Sequence, residues 1–517
     1  MNTYLAHSTS TSGRVDPIAT HLTSVADLAA DFASMFGAEE EARAAAVCHD
    51  LGKYGDLFGA RLLGKARKID HWSIGAWIAL SEYKRRGIAS ALVAQGHHIG
   101  LQQASVDALG GLNPAKLKEV HPLQLRLSDA NAERILRRFH DDALQLPQVE
   151  HSIYNWPRSS DITDMLDVRM LFSTVVDADY LETEAHFNAP TSDTKGYRSP
   201  GPTLEPGRAL ATLKEHLAHL GRVSTSAPHV NALRSDLLQA CLSAGSLDQG
   251  LFTLTAPTGA GKTLAMMAFA LKHALVHDLR RVIVVIPYLS IIDQSVKAYR
   301  TAFSALGNDD WLRTYVLEHH SLAGLNRGEK EPTDADGVAR DQERLLAENW
   351  DAPIIVTTSV QMLESLFANR PGPCRKLHRL AKSVILFDEV QTLPLHLAIP
   401  TLGTLSRLSQ RYETSVVFST ATQPAFAALS PAVESECGQT WHPREIVPPE
   451  LKLFDRARRT QVLWPDMHRP MPWRDVAERI RGLPQVLCIV NMKRHAFHLL
   501  DALADEPDIF HLSTHMC

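Results

Sequence analysis

Ala256-Pro257-Thr258-Gly259-Ala260-Gly261-Lys262-Thr263 is the stretch on which the reading of this chain turns. The apolar run Leu251-Phe252-Thr253-Leu254 before it reads as a buried strand, and Leu264 to Leu271 after it reads as a helix. Strand, glycine-rich loop and helix together make the setting of a phosphate-binding loop. Glycines let backbone N–H groups turn in on phosphates, the helix N-terminus adds partial positive charge, and the lysine adds a full one. Thr258, Gly259, Gly261, Lys262 and Thr263 are therefore candidate nucleotide-binding residues, with Thr263 placed to hold Mg²⁺.

Downstream, short β-branched runs alternate with helical stretches, the pattern of a parallel α/β sheet. Val282 to Ile286 and Ile354 to Thr358 are two such strands, and Val384 to Phe387 runs directly into Asp388-Glu389. An acidic pair at the carboxyl end of an apolar strand suits the magnesium corner of a nucleotide hydrolase. Asp388 would bind Mg²⁺ and Glu389 would orient the attacking water. Val416-Val417-Phe418 then leads into Ser419-Thr420-Ala421-Thr422, hydroxyls that either sense the nucleotide or cap a helix. Past Trp464 and the prolines Pro465, Pro470 and Pro472, a helix over Trp473–Arg481 and a strand over Val486–Val490 are expected.

Upstream, residues 16 to 187 read mostly as helix, with apolar residues at three- and four-residue spacing. Glu39-Glu40-Glu41 opens a helix that ends in Cys48-His49-Asp50-Leu51-Gly52-Lys53. His21 lies on an earlier helix, His71 follows Asp70, His97-His98 sit near a helix end, and Asp177-Ala178-Asp179 follow an apolar run. Imidazoles and carboxylates on separate helices can converge in a bundle interior as metal ligands. Their mixed nitrogen and oxygen character suits Mn, Fe, Ni, Co or Zn. Asp177 and Asp179 face different sides of one helix, so one of the two is the ligand. His7, His121, His140, His151 and His186 read as ordinary surface or hydrogen-bonded histidines. Residues 188 to 202 are rich in Pro, Gly and Ser and read as a linker.

A length of 517 residues allows three or four domains, and 45% hydrophobic with 21% charged residues is ordinary for a globular protein. The net charge of −5 announces no nucleic-acid binder, so any basic track must be local. Six scattered cysteines form no zinc or disulfide pattern, and neither a signal peptide nor a membrane span is visible. A cytoplasmic protein is expected.

The N-terminal residues Ala6-His7-Ser8, His21, His49 to Lys53, Asp70 to Ser73, Gly96-His97-His98 and Asp177-Ala178-Asp179 resemble the CRISPR-associated branch of the HD phosphohydrolase superfamily. That resemblance implies two metal ions. His21, His49, Asp50 and Asp179 would hold one; Asp50, His71, His97 and His98 would hold or approach the other, with Asp50 bridging and Lys53 neutralising the transition state. The loop at Ala256–Thr263, Pro287-Tyr288, Thr357-Thr358-Ser359, Asp388 to Gln391 and Ser419 to Thr422 resemble a superfamily-two helicase, in which Pro287, Tyr288, Thr358 and Ser359 would lie near a nucleic-acid strand. As a whole the chain resembles the nuclease-helicases of type I CRISPR interference. The implied architecture is an all-α HD-type domain (1–187), a linker and connecting helix (188–230), a first RecA-like α/β motor domain (231–445), a linker (446–470) and the start of a second RecA-like domain (471–517). The chain ends before the arginines that would complete an ATP site in this resemblance, so poor ATP turnover is expected. The implied activity is metal-dependent cleavage of single-stranded DNA, with Mn, Fe, Co or Ni at the His/Asp site and Mg-ATP at the loop. The implied partners are single-stranded DNA and an RNA-guided multisubunit surveillance complex. The alternatives are an HD nucleotide phosphohydrolase with a regulatory nucleotide-binding unit, or an inactive fragment completed by another subunit.

Overall fold

The computed structural model describes residues 4–153, 160–320, 334–464 and 470–512. Its N-terminal part is helical. Helices Ile18–Ala33, Glu39–His49, Ser73–Tyr83, Ile88–Ile99 and Asp161–Phe187 pack around Leu22, Val25, Ala42, Ala45, Leu92 and Val175, all fully buried. Alanine at the crossings lets backbones approach, and Gly75 shows how closely. A Cβ there would stand 1.8 Å from the Cys48 carbonyl oxygen, so no other residue fits where these two helices touch. One short parallel pair, β1 (Ile69–Asp70) with β2 (Arg126–Leu127), braces the turn before His71.

Glu41, in the first turn of the Glu39–His49 helix, is buried and accepts hydrogen bonds from Ser152 Oγ (2.6 Å) and Ile153 N (2.8 Å). Burial pushes its carboxyl up from 4.5 to about 7. The folded value lies above the unfolded one, so this group's contribution to stability is fully present below pH 4.5 and is lost as the pH rises through about 7. A shift of that size corresponds to about 3 kcal/mol. Urea melts of wild type and Glu41→Gln at pH 5 and pH 8 should show the variant overtaking the wild type at the higher pH.

The second part is a parallel α/β sheet. In chain order its strands are β3 (Leu251–Thr255), β4 (Arg281–Ile286), β5 (Val316–His319), β6 (Ile354–Thr358), β7 (Ser383–Asp388), β8 (Ser415–Thr420) and β9 (Arg444–Glu445). They lie in the order β5-β6-β4-β7-β8-β3-β9, every pairing parallel. Strands β4, β6 and β8 are buried along their whole length, as expected of a sheet covered on both faces by crossover helices. The carboxyl ends of β3 and β7 carry the phosphate-binding loop and Asp388-Glu389, side by side across β8. Ligands of such sheets bind outside the carboxyl ends of the strands.

Both parts belong to one compact unit, residues 1–457. One of its apolar cores runs without a break from Leu22, Leu171 and Val175 into Ile283, Leu366 and Leu405. Buried ion pairs cross the same seam: Arg407 to Asp167 at 2.6 Å, supported by the Tyr412 hydroxyl at 2.7 Å, and Arg375 to Asp177 at 2.9 Å. The proline-rich stretch after residue 188 is fastened over its length. Lys195 pairs with Glu182, Arg198 with Glu184 and Glu348, and Gly201 N donates to Asp351 at 3.1 Å.

Residues 458–517 form a second small unit, in which helices Trp473–Arg481 and Lys493–Ala502 pack through Ala477, Leu499 and Leu503. The strand expected at Val486–Val490 is not formed. Leu487 is 85% and Ile489 83% exposed, and among the described residues the run has no neighbouring strand with which to pair. Backbone groups in a strand need such a partner. Pro465 and the residues from Ser513 onward lie outside the described residues. No helix among the described residues is long and apolar enough to cross a membrane.

Candidate metal centre and nucleotide site

Asp50 ends the Glu39–His49 helix, where the turn aims its carboxylate into the bundle. Its two oxygens face different groups. Oδ2 lies 3.1 Å from His49 Nε2 and 3.4 Å from His21 Nε2; Oδ1 lies 3.3 Å from His71 Nε2 and 3.5 Å from His97 Nε2. Asp179 closes the first group, its Oδ1 being 3.4 Å from His21 and 3.6 Å from His49. His98 closes the second, with Nε2 2.9 Å from Nε2 of His71. Two four-residue sets thus share Asp50, and within each the ligand atoms lie within 4.8 Å of one another.

The imidazoles are held from behind. His97 Nδ1 donates to the Ala94 carbonyl at 2.7 Å and His49 Nδ1 to that of Ala46, which leaves each Nε2 lone pair pointing inward. Asp70 accepts from Trp72 N and Ser73 N at 2.9 Å and from His121 at 2.8 Å, fixing the turn that presents His71. Those inward atoms have no hydrogen-bond partner: His21 Nε2, His49 Nε2, Asp50 Oδ1 and His97 Nε2 are all buried orphans. Buried polar groups without a partner carry a penalty that a bound cation removes. The residues therefore fit a pair of divalent ions, with a donor set of imidazole and carboxylate typical of first-row transition metals.

Without an ion, the carboxylates draw a proton onto the centre, and a bound cation would take that proton's place. Burial opposes charge on His49, yet the Asp50 and Asp179 carboxylates outweigh it and push the imidazole up to about 10. Burial likewise opposes ionisation of Asp50, but His49 and Lys53 hold it well below the usual carboxylate range. His71 is pulled down to about 4 by burial. Lys53 Nζ sits 2.6 Å from Asp50 Oδ2, on the rim of both sets.

The structure brings all seven predicted ligands and Lys53 together and separates Asp177 from Asp179. Asp177 turns to the other side of its helix, where Arg375 and Asn349 Nδ2, at 2.9 Å, hold it. Asp16 escaped sequence reasoning, and His7, read there as an ordinary histidine, stands beside the centre. Asp16 Oδ2 lies 3.8 Å from His21 Nδ1 and 3.9 Å from His7 Nε2, and the His7 ring meets that of His21 edge to face. An acid just before the helix that carries His21 was the available signal.

At the second site Gly259 and Gly261 both have φ of +84°, the left-handed conformation that turns N–H groups inward. Lys262 and Thr263 open the following helix. Lys262 Nζ stands 3.6 Å from Glu389 Oε1 and is buried with no hydrogen-bond partner, as suits a lysine shaped for phosphate. Ser419 Oγ donates to Asp388 Oδ1 at 3.3 Å, and Thr420 Oγ1 to Gln391 Oε1 at 2.6 Å, so the hydroxyls after β8 touch the acidic corner. Burial pushes the Asp388 carboxyl up against the pull of Lys262. A nearby Mg²⁺ would reverse that shift. Thr358 caps the helix Ser359–Phe367 through Gln361 N, and Tyr288 is exposed beside β4.

The HD domain family matches residues 18–136, and the DEAD/DEAH box helicase family matches residues 238–429. The chain joins an HD domain to a DEAD-type helicase domain. It is similar to a "CRISPR-associated nuclease/helicase Cas3" of Haloferax volcanii, with 34% identity over 184 residues, 33% of this chain and 19% of that protein. Among solved structures, T. fusca Cas3 superposes with a TM-score of 0.55 at 18% identity, covering 85% of this chain and 52% of the other. A structure titled as a CRISPR-associated protein gives 0.53 at 20% identity, covering 84% and 54%. The chain thus spans about half the length of these solved relatives. The HD domain implies a divalent metal and the helicase domain implies ATP with Mg²⁺.

Proposed function

We propose that the chain is a metal-dependent nuclease for single-stranded DNA whose HD domain works beside an ATP-driven helicase domain, in concert with an RNA-guided CRISPR surveillance complex. The observation that carries this reading is the shared Asp50, one carboxylate oxygen toward each of two ligand sets. His21, His49, Asp50 and Asp179 would hold one ion, and Asp50, His71, His97 and His98 the other. Two such ions supply a hydroxide nucleophile near neutral pH and charge stabilisation on a scissile phosphate. The chain's own contributions are to fix the imidazole lone pairs through the Ala46 and Ala94 carbonyls and to place Lys53 where it can neutralise charge on a phosphodiester. In the helicase domain, Lys262 and the loop glycines would cradle phosphates, Thr263 and Asp388 would hold Mg²⁺, and Glu389 would orient water.

The test is cleavage of circular single-stranded DNA with Mn²⁺, Co²⁺ or Ni²⁺ and without ATP. Cutting supports the reading; hydrolysis of free deoxynucleotides with no cutting of DNA overturns it. Binding of single-stranded DNA should weaken steeply between low and physiological salt despite the net charge of −5, because a backbone-tracking groove displaces counterions.

A further inference from the structure

A cavity of about 560 Å³ opens at the seam between the helical domain, the strap after residue 188 and the amino end of β4, away from the loops at the carboxyl end of the sheet. Its volume is that of a small-molecule site. One wall is apolar and partly aromatic, made by Leu28, Phe32, Met35, Pro202 and Leu204. The lining also carries Arg281 and Arg379, two guanidiniums that share one carboxylate. Asp351 Oδ1 is 3.3 Å from Arg281 and 3.1 Å from Arg379, while its other oxygen is occupied by Gly201 N.

Each guanidinium keeps a buried Nε–H with no acceptor, and Arg281 as a whole is 9% exposed. Arg379 lies over the Phe32 ring, 5.2 Å from its centroid. Burial and the neighbouring Arg379 pull Arg281 down to about 9, a sign that the pair is short of negative charge. Arg280 and Asp278 also line the cavity, one charge of each sign. Asn349, 2% exposed, is also part of the lining. Its amide nitrogen is committed to Asp177, and its Oδ1 is a buried acceptor with no donor. Two unanswered donors, one unanswered acceptor and an apolar face form a built site.

We propose that this cavity binds a nucleoside monophosphate: the phosphate on Arg281 and Arg379, the base against Leu28 and Met35, and an exocyclic amine on Asn349 Oδ1. Guanidiniums match phosphate oxygens in geometry and charge, which favours the phosphate over a neutral ligand. Nothing in this assignment depends on the nuclease reading.

The experiment uses the full chain carrying Lys262→Ala, in EDTA, so that neither the phosphate loop nor the His/Asp centre contributes binding. AMP, adenosine and inorganic phosphate are titrated by calorimetry. AMP should bind, with adenosine and phosphate each much weaker. Arg281→Gln or Arg379→Gln should weaken AMP by roughly tenfold or more, the worth of a charge-assisted hydrogen bond. Met35→Trp, which fills the cavity and leaves both arginines in place, should abolish binding without lowering the melting temperature. That variant decides the matter if the arginine variants fold poorly. No binding of AMP, or binding unchanged in Met35→Trp, would overturn the assignment and leave a cavity that holds only water.

Discussion

Replacing Asp50 with alanine is expected to abolish metal-dependent DNA cleavage, by roughly a thousandfold or more, because several kcal/mol of charge stabilisation are lost together. Asp50 is the one residue common to both ligand sets. Its removal takes an oxygen from each and leaves five histidines, most of them buried, with a single carboxylate, Asp179. A replacement water cannot supply the missing charge. Replacing His98 should do less, since it belongs to one set only and is exposed. Cleavage of circular single-stranded DNA and Mn²⁺ binding by calorimetry check both statements. Undiminished cutting by Asp50→Ala would sink the assignment of the centre.

The second large effect lies at the seam. Arg375 donates to Asp177 at 2.9 Å and also meets Glu348 at 3.0 Å and the face of Tyr180. Arg375→Met should destabilise the chain by about 3–5 kcal/mol, since it strands a fully buried carboxylate. Changing both partners, Arg375→Met with Asp177→Leu, should recover most of the loss, because an apolar pair of similar volume does not have to be desolvated. Chemical denaturation of the wild type, both single variants and the double variant measures the coupling directly. Asp179 lies two residues along the same helix, so the single variant should also weaken Mn²⁺ binding. Wild-type stability for Arg375→Met would show that the ion pair is incidental.

Much of this was legible in the sequence, and the reason is locality. The phosphate loop needs only a strand, two glycines and a helix in succession, and all are adjacent in the chain. Asp388 and Glu389 are marked by the apolar strand before them. The histidines reveal themselves by type and order, since few other roles gather so many on separate helices. What could not be read is what depends on the far side of a helix. Asp177 and Asp179 are chemically alike, and only the position of Arg375, almost two hundred residues later, tells them apart. The stretch after residue 188 has a linker's composition, yet whether such a segment hangs free or is fastened depends on whether it folds back on Glu182 and Glu184 of the preceding helix and on Asp351, far along the chain. Val486–Val490 misled for the complementary reason. A β-branched run becomes a strand only where another strand receives it.

Gly201 shows what this fastening means for anyone who cuts the gene. A Cβ at that position would fall 1.7 Å from the Asp351 carbonyl oxygen, so the strap lies directly on the sheet domain. Severing the chain there would yield no freestanding pair of modules, because the apolar core passes beneath the cut. Leu171 and Val175 on one side, and Leu366 and Leu405 on the other, would be newly wetted. A fragment meant to report on the His/Asp centre alone should therefore extend to residue 457, where the compact unit ends. A shorter expression product would tend to precipitate for want of its other half, and its silence in an assay would say nothing about the chemistry.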